Sequence, residues 1–342
     1  MTDFYSLGHE LQAQRLQEMA VQALRHWGLD QTSRLQLVKY RENAVFNVED
    51  SRNSEKYAIR IHRAHYHTDA ELRSELTWMR ALTEYGVLTS TVVPTLRGDL
   101  FQTVECAGVP EPRQCDVQRW IEGAPLGSIE GGGTSDVKSL LENYRIVGAL
   151  QAKLHNQSSA WELPVGFARH AWDVPGMLGE EPFWGRFWEL AILSEPQLKL
   201  VLAARDRLVG QLGAYGQARD RYGLIHADFL PENMIVSQGG IRLIDFDDAG
   251  FGWHMFDIAT SLFYHLGEEY FEDLKQAILS GYQTERSLSD THVSMILPFL
   301  LARGITYLSW LHTRKETETA QTLGPLIVGH VVSLANRYLG LP

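Results

Sequence analysis

Apolar residues first recur along the chain at helical spacing. Leu16, Ala20, Ala23, Leu24 and Trp27 share one face and Gly28 ends the pattern, which predicts an amphipathic opening helix. Two runs rich in Val, Ile, Tyr and Phe follow at 35–49 and 56–62, and the turn formers Asp50-Ser-Arg-Asn-Ser54 between them make the pair read as a hairpin. Over 69–85 Leu72, Leu76, Met79 and Leu82 return to helical spacing, with Gly86 as the stop. Segments 100–106 and 116–121 read as two more strands, leading into Glu122-Gly123. The expected order is strand, strand, helix, strand, strand.

After Gly123 the pattern changes. A loop holding Gly131-Gly132-Gly133 precedes long helical patterns at 137–156, 182–193 and 195–214, and more follow around 270–282, 293–313 and 324–339. At 342 residues the chain exceeds what one hydrophobic core usually supports. The expected fold class is therefore α+β: a small antiparallel-sheet lobe with a leading helix over residues 1–121, then a larger, mainly helical lobe over 122–342. No internal repeat interrupts this scheme.

Composition narrows the partners. The 42 acidic against 31 basic residues, net −11, argue against a nucleic acid or an anionic membrane as the main partner and suit a cationic or zwitterionic one. Residues 1–29 are charged throughout, and no later stretch reaches the roughly 18 uninterrupted apolar residues of a membrane span, so a cytoplasmic protein is expected. Cys106 and Cys115 are too few for a structural zinc site and are expected as reduced thiols. His62, His65 and His67 lack a matching ligand set and are expected to be solvated.

The chemistry lies between the helices, in Tyr222-Gly-Leu-Ile-His226-Ala-Asp228-Phe-Leu-Pro-Glu-Asn233-Met-Ile-Val236 and Ile241-Arg-Leu-Ile-Asp245-Phe-Asp247. The apolar runs 234–236 and 241–244 flank Gly239-Gly240, a hairpin signal that puts Asn233 and Asp245 at one end. Phosphoryl transfer needs a metal clamp on the phosphates, neutralised charge and an oriented hydroxyl. An amide oxygen and a carboxylate, Asn233 with Asp245, form the hard oxygen set that Mg2+ prefers, which leaves Asp228 to hold the acceptor hydroxyl.

This stretch resembles the kinase catalytic loop His-x-Asp-x-x-x-x-Asn, followed after a β-turn-β by the metal-binding Asp. His-Ala-Asp with Pro231-Glu-Asn233, and Asp-Phe-Asp in place of Asp-Phe-Gly, are similar to the aminoglycoside phosphotransferase and choline kinase family, nearest to the branch of homoserine kinase type II and stress-response kinase A. The resemblance implies a protein-kinase-like two-lobed fold that uses ATP and Mg2+. It implies Asp228 as the base or hydroxyl-orienting residue, Asn233 and Asp245 as metal ligands, and His226 and Asp257 as supports of the loop. Asp247 is implied as a second metal ligand or a substrate contact. Upstream, Arg60 falls where the family carries a phosphate-reaching Lys or Arg, Glu75 where its pairing acid lies, and Arg119 to Ile121 at the hinge whose backbone meets the adenine edge.

The leading expectation is a kinase acting on the hydroxyl of a small amino alcohol or hydroxy-amino acid such as homoserine. A protein Ser/Thr kinase, an aminoglycoside phosphotransferase and a nucleotide-binding pseudokinase are the alternatives. Only a short segment separates Asp247 from Asp257, which leaves no room for a long activation loop.

Overall fold

A computed structural model describes residues 4–129 and 136–341, so the expected triglycine loop at 131–133 lies outside the described residues. The chain separates into two compact units, one running to Gly123 and including Leu163–Ala168, the other made of Ala124–Glu162 and Arg169 onward.

The first unit opens with α1 (His9–Ala23), and a 3-10 turn, Leu24–Trp27, carries the helical face on to Gly28. Gly28 sits at φ +66°, a left-handed conformation that a glycine adopts without strain. There follow β1 (Arg34–Tyr40), β2 (Ala44–Glu49), β3 (Lys56–Ile61), α2 (Asp69–Tyr85), β4 (Val92–Val93), β5 (Gln102–Val104) and β6 (Arg113–Arg119). The sheet order is β1-β2-β3-β6-β4, with β5 on β6. The run 35–49 is thus two strands, because the polar Arg41-Glu-Asn43 makes a turn inside it, and the expected hairpin becomes a three-stranded meander. On β2 the alternation is strict, with Ala44, Phe46 and Val48 buried. Together with Ile59 and Val117 they pack beneath Leu16, Met19 and Ala20 of α1. Thr68 and Glu71 close a capping box at the start of α2, which contributes about 1 kcal/mol.

The second unit holds β7 (Ala124–Pro125), α3 (Val137–Ala160), β8 (Ala171–Trp172), α4 (Val174–Leu178), α5 (Glu195–Tyr215), β9 (Tyr222–Ile225), β10 (Met234–Ser237), β11 (Gly240–Leu243) and β12 (Gly250–Trp253). It ends with α6 (His254–Phe263), α7 (Phe271–Gln283), α8 (Asp290–Val293), α9 (Ile296–Thr313) and α10 (Glu318–Leu339). Its strands form two small sheets, β11-β10-β7 and β8-β12-β9. The expected 234–244 hairpin is present, with Val236 opposite Ile241. The helix expected at 182–193 is not: only a 3-10 turn, Phe187–Glu189, forms there, since Pro182 and a left-handed Gly185 at φ +100° interrupt the pattern. Every residue of α6 is buried, its polar Asp257, Thr260 and Ser261 included, so its polar side faces the interior of the unit. The segment Asp290–Thr313 is long and apolar enough to cross a membrane, and 78% of its most apolar stretch is buried inside the unit.

Two glycines set the closeness of α3 and α7. A Cβ at Gly148 would lie 2.0 Å from the Ile278 carbonyl oxygen, and one at Gly281 would lie 1.8 Å from the Arg145 carbonyl oxygen. Backbone cannot yield as a flexible side chain can, so Gly148→Ala should destabilise the protein by about 3 kcal/mol, read from urea unfolding. An unchanged urea midpoint would show that the helices separate freely.

Candidate active site

Strand β9 ends at Ile225 and delivers His226-Ala-Asp228 through a left-handed Ala227 at φ +63°. A non-glycine residue there stores about 1 kcal/mol and persists only where its surroundings over-determine it. Asp257, in the first turn of α6, does this. Its Oδ2 accepts the His226 N–H at 3.0 Å and its Oδ1 the Ala227 N–H at 2.7 Å. Burial pushes the Asp257 carboxyl up to about 6, against the opposing pull of His226 and the two N–H groups. His155 also meets Oδ2, at 3.0 Å, while its Nδ1 lies 2.9 Å from the Tyr282 hydroxyl. Burial holds His155 well below the usual histidine range, so the neutral ring donates from Nε2 and accepts at Nδ1.

His226 is fully buried, and its ring joins two segments. Nδ1 accepts the Asp228 N–H at 3.2 Å and Nε2 donates to the Ile244 carbonyl at 3.1 Å, a pattern that one neutral tautomer satisfies. Both ring nitrogens are thereby committed to the scaffold.

The Asp228 carboxylate is held at both oxygens. Asn233 Nδ2 donates to Oδ2 at 2.7 Å, and Arg303 Nη2 donates to Oδ1 at 3.0 Å. Asn233 closes the 3-10 turn Pro231–Asn233, and its Nδ2 also reaches the Asp228 main-chain oxygen at 3.1 Å. With the amide nitrogen committed there, the amide oxygen is the atom left for a cation. The Asn233 carbonyl accepts the Ile244 N–H at 2.9 Å, so the residue before Asp245 is tied to the loop that carries Asp228. Asp245 itself takes φ +65°, the second left-handed non-glycine of this site. An amide oxygen and a carboxylate are hard ligands of the kind that Mg2+ accepts.

Downstream, Arg169 donates to the main-chain oxygens of Phe246, Asp247 and Ala249, and the Trp172 indole donates to that of Asp248 at 2.8 Å. Asp247 is buried within this strapped segment. Burial and the neighbouring Asp228 push the Asp248 carboxyl up to about 7.

In the first unit Arg60 bridges two buried acids: Nη2 meets Glu75 and Nε meets Asp116, each at 2.8 Å. Asp116 also takes His62 Nε2 at 2.7 Å and Gln118 Nε2 at 3.0 Å. Burial alone would raise Asp116, but the Arg60 charge and the His62 hydrogen bond outweigh it and bring the carboxyl to about 2. His62 is therefore not solvated as expected: it is a buried partner of Asp116. His67 is buried as well, and only His65 of the three is exposed. The Arg119 side chain lies on the surface, paired with Glu55 at 2.9 Å, and its N–H goes to the Thr91 oxygen at 2.8 Å. The Trp120 N–H goes to the Lys56 oxygen, which shifts any recognition of a base edge by N–H to Ile121 and beyond.

Sequence reasoning missed Asp116, Arg303 and Asp248. The signal for Asp116 was its place on a strand between the apolar Cys115 and Val117, where β6 sets it opposite Arg60. For Arg303 it was isolation: no other Lys, Arg, Asp or Glu occurs in 296–313.

The family model described as the phosphotransferase enzyme family matches residues 35–291. The amicoumacin kinase of Bacillus subtilis (strain 168) is 24% identical over 289 residues, 81% of this chain and 80% of that protein. Among solved structures, a microcompartment-associated aminopropanol kinase is 31% identical with a TM-score of 0.83, over 94% of this chain and 97% of the other. An amicoumacin kinase in complex with AMP-PNP, Ca2+ and Ami shares the fold at 21% identity and a TM-score of 0.75, over 96% of each chain. The α+β, protein-kinase-like fold expected from the catalytic segment is the fold these proteins share.

Proposed function

Since the chain belongs to the phosphotransferase enzyme family and is a phosphotransferase, we propose that it transfers the γ-phosphoryl group of ATP to the hydroxyl of a small amino alcohol or hydroxy-amino acid. The observation that carries this reading is the Asp228 carboxylate, clamped at both oxygens on a loop that Asp257 holds in a left-handed turn. Such a carboxylate orients a hydroxyl. The hydroxyl oxygen forms a bond to the γ-phosphorus as the bond from that phosphorus to the departing ADP oxygen breaks, and the hydroxyl proton passes to Asp228.

Asn233 and Asp245 would hold the Mg2+, with Asp247 as a second ligand or a contact to the acceptor amine. Bound there, the cation neutralises charge on the phosphates. In the first unit we assign Arg60, fixed by Glu75 and Asp116, to the α- and β-phosphates, and the backbone beyond Arg119 at Ile121 to the adenine edge. His226 and Asp257 support the loop. Support for an amino-alcohol acceptor comes from the 31% identity with an aminopropanol kinase across nearly the whole of both chains. A second reading, phosphorylation of amicoumacin or an aminoglycoside, is favoured by the amicoumacin kinase match over 81% of this chain.

The test is ATP consumption with Mg2+ across amino alcohols, hydroxy-amino acids, aminoglycosides, amicoumacin and protein acceptors. The highest kcat/KM is expected for a short amino alcohol. Turnover confined to the antibiotics moves the assignment to the second reading, and labelling of protein alone overturns both.

A further inference from the structure

We propose that Arg303 is a positioning residue for this reaction, fixing the Asp228 carboxylate in the orientation that receives the acceptor hydroxyl; the inference rests on the phosphotransfer reading above. Arg303 stands in the middle of α9 and is fully buried. Among the described residues, its one hydrogen bond of full geometry runs from Nη2 to Asp228 Oδ1, at 3.0 Å. Its Nε and Nη1 are buried without a hydrogen-bond partner. Ring faces cover the rest of the group: its guanidinium carbon lies 4.1 Å from the ring centre of Tyr307, 5.1 Å from that of Trp184 and 5.4 Å from that of Phe256.

A guanidinium that holds a fold together distributes its donors over carbonyls, as Arg169 does in this same unit with three main-chain oxygens. Arg303 leaves two nitrogens unbonded and directs the third at the catalytic carboxylate. Burial pulls its guanidinium down, but Tyr307 and Asp228 raise it further, so the charge persists. An aromatic box of this kind accepts a Met or Leu side chain readily, and replacing a buried ion pair by apolar groups of similar volume is often neutral for stability, so packing alone does not call for a cation here. Retention of the charge is therefore better explained by what it does to Asp228.

The geometry supplies that effect. Asn233 Nδ2 takes one carboxylate oxygen and Arg303 Nη2 the other, so rotation of the carboxylate about its own axis breaks one of the two bonds. Asn233 acts from the catalytic loop and Arg303 from a helix remote in sequence. Without Arg303 the carboxylate loses the tether at Oδ1 and can turn about the Asn233 bond at Oδ2.

The test compares Arg303→Met and Arg303→Lys with the wild type, using the acceptor that the wild type turns over best. Arg303→Met should lower kcat about 100-fold, the scale of a misaligned reacting group, with KM for Mg-ATP within about twofold and the melting temperature lowered by only a few degrees, because the Asp228 side chain that loses its counter-charge is 18% exposed. Arg303→Lys, which keeps a cation and one donor, should recover about tenfold of the loss. A Met variant with wild-type kcat overturns the proposal. So does a fall in kcat that comes with weakened nucleotide binding and a melting temperature lowered by more than a few degrees in both variants, since that is loss of structure. If Arg303→Met does not fold, Arg303→Lys decides alone: reduced kcat at unchanged KM for Mg-ATP supports the role, and any other pattern overturns it. A wild type inactive on every acceptor sinks the phosphotransfer reading and this inference together, whereas an active wild type beside an equally active Met variant sinks only Arg303.

Discussion

Asp228→Asn should lower kcat about a thousandfold while Mg-ATP still binds, the loss typical of removing a positioned base from a transfer step. The substitution is nearly isosteric, but its new amide N–H2 faces one of two donors, Arg303 Nη2 or Asn233 Nδ2, where an acceptor oxygen stood. The hydroxyl then loses both its proton acceptor and its fixed direction. The Arg303 charge also loses its counter-charge while buried, so stability should fall by about 2 kcal/mol, less than for complete removal of a partner because the Asn oxygen still accepts one bond. Steady-state kinetics with the best acceptor, calorimetric titration with Mg-ATP and urea unfolding check the three parts. Turnover within tenfold of wild type would remove Asp228 from the chemistry.

The second large effect is expected at Asp257, which is fully buried. Asp257→Ala strands the N–H groups of His226 and Ala227 in the interior and deprives His155 of its acceptor. Each buried donor left unpaired costs about 1–3 kcal/mol, partly offset by removal of a buried charge, so a loss of about 3 kcal/mol near pH 6 is expected. Ala227 has no reason to keep its left-handed turn once those bonds are gone, and kcat should drop about 100-fold as Asp228 moves.

The pH dependence follows from the raised carboxyl. Its folded value of about 6 lies above the ordinary 3.8, so its contribution to stability is fully present below about pH 4 and is lost as pH rises through 6. The gap between wild type and Asp257→Ala should accordingly narrow by about 3 kcal/mol from pH 4 to pH 8. Urea midpoints across that range test it, and a gap that widens with pH would show the carboxylate to be stabilised in its ionised form.

The first prediction concerns a loop whose place was legible in the chain because its members lie close in sequence, whereas Asp257 was implied by the family resemblance and reaches His226 and Ala227 across 31 and 30 residues. The spacing from His226 through Asp228 to Asn233, and the hairpin that returns to Asp245, are local features, and the geometry brings them together. The same holds for α2, whose apolar spacing, capping pair and terminal Gly86 agree. Where local signals conflicted, the reading failed: apolar residues at 182–193 suggested a helix that Pro182 and Gly185 prevent, while the short α6, whose polar residues face the interior, was not anticipated.

By itself, then, the sequence determined the α+β plan, the family resemblance and the local course of the loop from His226 to Asn233, since each depends on short-range pattern and spacing. Tertiary structure alone decided that Arg303 reaches Asp228 across 75 residues, that Asp116 and His62 secure Arg60, and that His155 backs Asp257. A buried charge finds its partner through packing of elements remote along the chain, and no local pattern encodes which partner that is.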